Sequence, residues 1–166
     1  MLILRLLHIL TGVFWAGTIF FMVSYLEPSA RAAGPDAAKV MGGIQKRGLL
    51  TVLPIVALVT ILSGVDLYRR LSAGFEPAWV HSSIGLTYGI GAVASIIALA
   101  IGIFVMRPAT MAAGRLAANI STVSDDAERQ RLHAKIQQLQ GRSRNALRVV
   151  AGLLTVAVTT MAVGRY

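Results

Sequence analysis

Four long stretches without a charged residue constrain the fold of this chain more than any other feature. They lie between Arg5 and Glu27, Arg47 and Asp66, Glu76 and Arg107, and Arg148 and Arg165, and they hold 21, 18, 30 and 16 residues. A helix needs about 20 largely apolar residues to cross a bilayer core. The last stretch is short, but its flanking arginines can extend outward to the interface. The sequence therefore predicts four transmembrane helices, at 2–26, 49–68, 79–106 and 146–164.

The composition excludes several other classes of protein. Charged residues make up 14% of the chain, against about 25% in ordinary soluble domains. The chain has no cysteine, which excludes disulfides, thiolate-bound metals, iron–sulfur clusters and covalently attached c-type haem. The first apolar run is longer than the hydrophobic part of a secretory signal, so we expect it to be retained. We predict a single all-α membrane domain, 1–166, folded as an antiparallel four-helix transmembrane bundle.

The basic residues predict which side of the membrane each loop occupies. Twelve of the sixteen lie in or beside the segments 27–48 and 107–145, and four lie at the opposite ends of the helices. Because positively charged loops stay in the cytoplasm, we expect both segments to be cytoplasmic and both termini to be outside. The net charge of +9 also attracts anionic lipid headgroups. No basic patch alternates with aromatic residues, so no nucleic-acid partner is expected.

The two long loops carry weaker helical signals. After Pro35, apolar residues recur at helical spacing as far as Ile44, which predicts a short amphipathic helix on the membrane surface. In the second loop, Asp125 and Glu128 have the spacing of a capping box and precede one apolar stripe. His133 lies beside that stripe and is expected to be a surface residue.

One short pattern occurs twice, in the first and third predicted helices. It reads His8-x3-Gly12-x2-Trp15 and His81-x3-Gly85-x2-Tyr88. Residues at i, i+4 and i+7 share one stripe of a helix, so each glycine would leave room beside an imidazole. A flat macrocycle needs such room if two imidazoles ligate its iron from opposite faces. We therefore predict one haem b between these helices, with the two imidazole rings at similar depth in the outer leaflet.

In this hypothesis each residue of the pattern has a role. His8 and His81 are the axial ligands, whereas the pocket and the charges around the haem are formed by Gly12, Gly85, Trp15, Tyr88, Arg5 and Arg165, the two arginines neutralising its propionates. Simpler explanations exist for the same residues. The glycines also suit close helix packing, and the histidines also suit hydrogen bonding at the interface. Asp66 has three alternatives: an ion pair with nearby arginines, a hydrogen bond that orients a histidine, or proton transfer.

The opening stretch from Leu7 to Phe21 and the ending from Met161 to Tyr166 resemble small bacterial membrane proteins of the CopD-like and HemJ-like kind. The resemblance implies a helical bundle in the bacterial inner membrane, with His8 as a haem or metal ligand. HemJ-type protoporphyrinogen oxidases also carry a histidine-x-lysine pair in the third helix. Here the corresponding residues are His81-Ser82-Ser83, without the lysine.

These observations predict a membrane haem b protein for electron transfer or redox sensing. Its expected partners are the lipid bilayer and a membrane redox partner or larger membrane complex. Two alternatives stay open: a cofactor-free accessory or scaffold subunit, and a copper- or porphyrin-handling protein of the CopD/HemJ type. Phosphate-binding glycine loops, zinc motifs and nucleophile motifs are missing from the sequence, which leaves its status as an enzyme undecided.

Overall fold

A computed structural model describes residues 1–120 and 123–164, and within these ranges the chain forms helices joined by short turns, without a strand. We number the main helices in chain order. They are α1 (Leu2–Ala33), α2 (Ala37–Lys46), α3 (Leu49–Leu71), α4 (Pro77–Val80), α5 (Ser83–Asn119) and α6 (Asp126–Val163). Four of them, α1, α3, α5 and α6, are long and apolar enough to cross a membrane, which agrees with the predicted number of spans.

The distribution of apolar side chains suits a lipid environment. Many large apolar residues are exposed on the outside of the helices, as at Ile3 and Phe104, which are 81% and 74% exposed. The interior is built largely from alanine together with a few larger side chains such as Trp15, Ile19 and Leu154. Small residues at helix interfaces let backbones approach closely, which is how helices associate in the absence of water.

The long helices pack as two pairs that contact each other. The most extensive interfaces join α1 to α3 and α5 to α6, and smaller ones join α3 to α5 and α1 to α6. At one end, which we call the histidine end, Tyr68 of α3 contacts Gly85 of α5, and Tyr88 of α5 contacts Gly164 after α6. At the opposite end, Glu27 of α1 pairs with Arg144 of α6.

Both α1 and α5 contain a five-residue π-helical segment, Met22–Leu26 and Gly102–Met106. Each segment is followed by a charged residue and then a proline, Pro28 or Pro108. A proline ring crowds the carbonyl four residues before it, and the wider π turn relieves that conflict. The helices therefore continue through the prolines to Ala33 and Asn119, beyond the predicted ends of the spans at 26 and 106.

The second half of the chain also differs from the expected boundaries. The predicted span 79–106 begins in the structure as the short helix α4, and α5 starts only at Ser83. The predicted loop helix and the fourth span, 146–164, form the single helix α6, because no proline interrupts the sequence between them. Asp125 caps α6 by accepting a hydrogen bond from the backbone N–H of Ala127, at 3.1 Å. The helix predicted after Pro35 is present as α2.

Candidate functional site

His8 lies on α1, half-buried, with its ring against α3. Its Nδ1 is 2.8 Å from the backbone carbonyl oxygen of Thr60 and 3.4 Å from the hydroxyl of Ser63. A carbonyl oxygen can only accept a hydrogen bond, so Nδ1 carries the proton and donates it. The lone pair of a neutral imidazole is then on Nε2, which is the nitrogen available to a ligand.

Gly64 of α3 provides the space that the His8 ring occupies. A Cβ at position 64 would lie 2.8 Å from Cε1 of His8 and 3.2 Å from its Nδ1. The hydroxyl oxygens of Thr60 and Thr11 are 2.9 Å apart, and this contact joins α3 to α1 one turn from the histidine. His8, Thr11, Thr60 and Ser63 thus form a polar cluster between two otherwise apolar helices.

His81 lies in the turn before α5 and is exposed. Its Nδ1 is 2.7 Å from the backbone carbonyl oxygen of Pro77, so this imidazole also donates from Nδ1 and leaves the Nε2 lone pair available. The next residue, Ser82, has an extended backbone, and its hydroxyl caps α5 by accepting from the N–H of Gly85 at 3.1 Å. His81 is therefore not on the same helix as Gly85 and Tyr88, and the predicted stripe of three residues does not form there.

The two glycines of the repeated pattern face protein atoms. A Cβ at Gly12 would lie 3.4 Å from the Cγ2 methyl of Thr60. A Cβ at Gly85 would overlap the carbonyl oxygen of Trp79 and lie 2.7 Å from that of Val80. Gly85 thus permits a close approach of the preceding backbone, which agrees with the packing alternative, whereas a Cβ at Gly12 would make only ordinary van der Waals contact. No imidazole atom is among the nearest neighbours of either position.

The aromatic residues of the pattern lie in different surroundings. Trp15 is 4% exposed and belongs to the apolar core between the helices. Tyr88 packs on Gly164, where a Cβ would lie 2.7 Å from the ring atom Cε1. Arg5 is exposed near the start of α1, whereas Arg165 lies outside the described residues. The sequence pattern therefore does not converge on one pocket.

Asp66 forms ion pairs on its own helix. Its carboxylate oxygens are 2.8 Å from Nη2 of Arg69 and 2.9 Å from Nε of Arg70. Of the three alternatives for this residue, the ion pair is the one that the structure contains. Both arginines lie one turn after the aspartate and are about half exposed, so the network lies at the surface of the histidine end.

The sequence pattern missed three residues that surround His8, namely Thr60, Ser63 and Gly64. Their spacing of i, i+3 and i+4 places two hydroxyls and a glycine on one face of α3. A face of small and polar residues in an otherwise apolar helix indicates close contact with a polar side chain.

The described residues offer few side chains that could ligate a bare metal ion. In the described ranges 1–120 and 123–164, no group of three or more histidine, cysteine, aspartate or glutamate side chains is placed to hold a metal ion. A bare zinc ion typically takes at least three protein ligands, whereas haem iron needs only one or two. His8 and His81 each leave an Nε2 lone pair available, which is fewer protein ligands than a bare zinc ion typically takes.

Comparison of the chain with models of known families, with curated proteins and with solved structures finds no match.

Proposed function

We propose that this protein lies in the bacterial inner membrane, binds haem b at its histidine end through His8 and His81, and transfers or senses electrons. The observation that carries the proposal is that both imidazoles have the same tautomer, with the proton on Nδ1. Each donates its Nδ1 proton to a backbone carbonyl, at 2.8 Å in His8 and 2.7 Å in His81. Metal-ligating histidines usually make this hydrogen bond, because it sets the tautomer and the orientation of the ring.

The surroundings of the histidines support the same proposal. His8 is held against α3 by its contacts with Thr60, Ser63 and Gly64. His81 is held by its hydrogen bond to the backbone carbonyl of Pro77. Tyr68 links these two regions by donating a hydrogen bond to the carbonyl of Gly85 at 3.1 Å. When bound, haem supplies reversible one-electron chemistry that no side chain here can perform. The resemblance of the opening stretch to CopD-like and HemJ-like proteins agrees with a ligand role for His8.

Spectroscopy of variants tests the ligation. We expect His8→Ala and His81→Ala each to remove the low-spin spectrum of the reduced protein, and His8→Ala to lower its haem content by about tenfold or more. His133→Ala is the matched control, because this third histidine is exposed on α6, away from both others. It should leave the spectrum unchanged. Retention of low-spin haem in the double variant His8→Ala, His81→Ala would overturn the proposal.

A second candidate is a cofactor-free accessory subunit of a membrane complex. It is favoured by the contacts of Gly85 and Gly91, where a Cβ would collide with neighbouring protein atoms, because these glycines serve packing without a ligand. The same purified protein discriminates the two candidates. A haem protein has a Soret band and, when reduced, an α band, whereas the accessory subunit has neither.

The orientation in the membrane is tested by reporter fusions. The excess of basic residues in 27–48 and 107–145 predicts that the histidine end faces outside. Alkaline phosphatase, which is active only outside the cytoplasm, should therefore be active when fused to the C-terminus and inactive when fused after Ser124. The reverse activities would place both histidines at the cytoplasmic face.

A further inference from the structure

A second feature lies toward the opposite end of the molecule and reaches inward to Trp15 and Ala57, about two helical turns from His8 and one turn from Thr60. An apolar cleft opens between the long helices; its enclosed cavity is about 40 Å³, and the open groove around it brings the empty space to about 490 Å³. Its lining comes from all four helices and includes Trp15, Leu53, Leu99, Ile103, Met106 and Arg107. Within the described part of the chain, Arg107 is the only charged residue that borders the cleft.

Arg107 is half-buried, and one of its donor atoms has no hydrogen-bond partner. Its Nε is shielded from solvent and forms no hydrogen bond with any residue in 1–120 or 123–164. Burying such a donor without an acceptor is unfavourable, more so when the group is charged. Glu27, which precedes the equivalent proline in α1, does not fill this role, because it pairs with Arg31 at 2.7 Å and Arg144 at 3.3 Å. The half-buried guanidinium therefore has no acidic partner in the described ranges and can take an external anion at its exposed side.

The position of Arg107 along α5 indicates where that anion would lie. Arg107 follows Ser83 by a helical rise of about 36 Å, which exceeds the hydrocarbon thickness of about 30 Å. With the histidine end at one membrane interface, Arg107 thus lies near the other, at the depth of lipid headgroups. From there the cleft extends inward along α3 from Leu49 to Ala57, a rise of about 12 Å. A positive charge at headgroup depth beside an apolar cleft matches the two parts of an anionic lipid, a charged headgroup and an apolar acyl chain.

We propose that this cleft binds an anionic phospholipid, with an acyl chain along the groove between the helices and a headgroup oxygen that accepts a hydrogen bond from the exposed side of the Arg107 guanidinium. The proposal rests on the membrane placement proposed above but not on haem. The reporter fusions test that placement separately, so the two proposals can fail independently. The net charge of +9 favours an anionic lipid over a zwitterionic one at this surface.

Lipid retention by the purified protein tests the proposal. The full-length protein in dodecyl maltoside is mixed with equal amounts of dioleoylphosphatidylglycerol and dioleoylphosphatidylcholine, passed through a desalting column, and analysed by native mass spectrometry. We expect phosphatidylglycerol to be retained preferentially and to raise the unfolding temperature. Inorganic phosphate at millimolar concentration should not raise it, because a free anion leaves the apolar cleft unfilled. Stabilisation by phosphate equal to that by the lipid, or equal retention of both lipids, would overturn the proposal.

Two variants test the charged part and the apolar part of the site separately. Arg107→Met removes the donor and keeps a similar apolar length, and it should weaken phosphatidylglycerol retention by about tenfold. Arg47→Met is its matched control, since Arg47 is an exposed basic residue just before α3 that does not line the cleft. This control should retain the lipid as the unmodified protein does.

The second variant fills the cleft and leaves the arginine intact. Gly102 borders the cleft, and a Cβ there would meet no atom within 4 Å. Gly102→Leu should therefore exclude the acyl chain. Gly17→Leu is the control, because Gly17 also has open space around it but lies on the exposed face of α1. Normal retention by Gly102→Leu would overturn the proposal even if Arg107→Met failed to fold.

Discussion

Replacing Gly85 with alanine is expected to destabilise the protein by about 1–3 kcal/mol, although alanine normally favours a helix over glycine. The added Cβ would overlap the carbonyl oxygen of Trp79 and lie 2.7 Å from that of Val80. Both partners are backbone atoms of the turn that precedes α5, so they cannot rotate away as a flexible side chain would. The loss should be seen as a lower midpoint in thermal unfolding of the detergent-purified protein.

Gly17→Ala is the matched control for this measurement. A Cβ at Gly17 would meet no atom within 4 Å, and the residue lies inside a helix. Here the intrinsic preference of alanine should dominate and leave the stability unchanged or raise it by about 0.5–1 kcal/mol. An equal rise in the two variants would contradict the close approach at Gly85.

The second large effect is expected at Gly64, whose missing side chain makes room for the His8 ring. Gly64→Ala would place a Cβ 2.8 Å from Cε1 of His8 and should displace the ring from the carbonyl of Thr60. We expect a loss of about 1–3 kcal/mol. In a protein that already carries His8→Ala, the same change at Gly64 should cost nothing, because the ring is no longer present.

A double-mutant cycle measures this coupling between α1 and α3. We expect the two changes to be non-additive by at least about 1 kcal/mol, as is usual for residues in contact. Pairing His8→Ala with Gly17→Ala supplies the control, which should be additive. Additivity of His8→Ala with Gly64→Ala would mean that the ring does not occupy the space beside Gly64.

The number and rough position of the long helices could be predicted because charges are excluded from a bilayer core. The gaps between Arg5, Glu27 and the following charged residues therefore correspond to the four helices that are long and apolar enough to cross a membrane. The ends of the helices could not be predicted in the same way. A proline such as Pro28 or Pro108 usually ends a helix, and only a local π turn, which has no simple sequence signal, lets it continue.

The candidate site could likewise be predicted only in part. His8 could be identified because an ionisable residue inside an apolar stretch is costly and calls for a function. Its partners on α3 could not be identified from periodicity, since they depend on which helix packs against α1. The stripe predicted from His81 to Tyr88 assumed one uninterrupted helix. Pro77 and the capping hydroxyl of Ser82 instead divide this stretch into a short helix, a turn and α5.

The π segment in α5 also decides which side chain reaches the cleft. The buried residues of this helix recur at intervals of three or four, as from Ala94 to Ala98, but the equivalent position one heptad after Ala98 is taken by Met106 instead of Val105. The segment thus acts as a one-residue insertion that delays the rotation of every later residue by about 100°. Arg107 consequently stands where the residue before it would stand in an uninterrupted helix. A phase shift in the backbone, with no change of residue type, brings this cation to the edge of an apolar space.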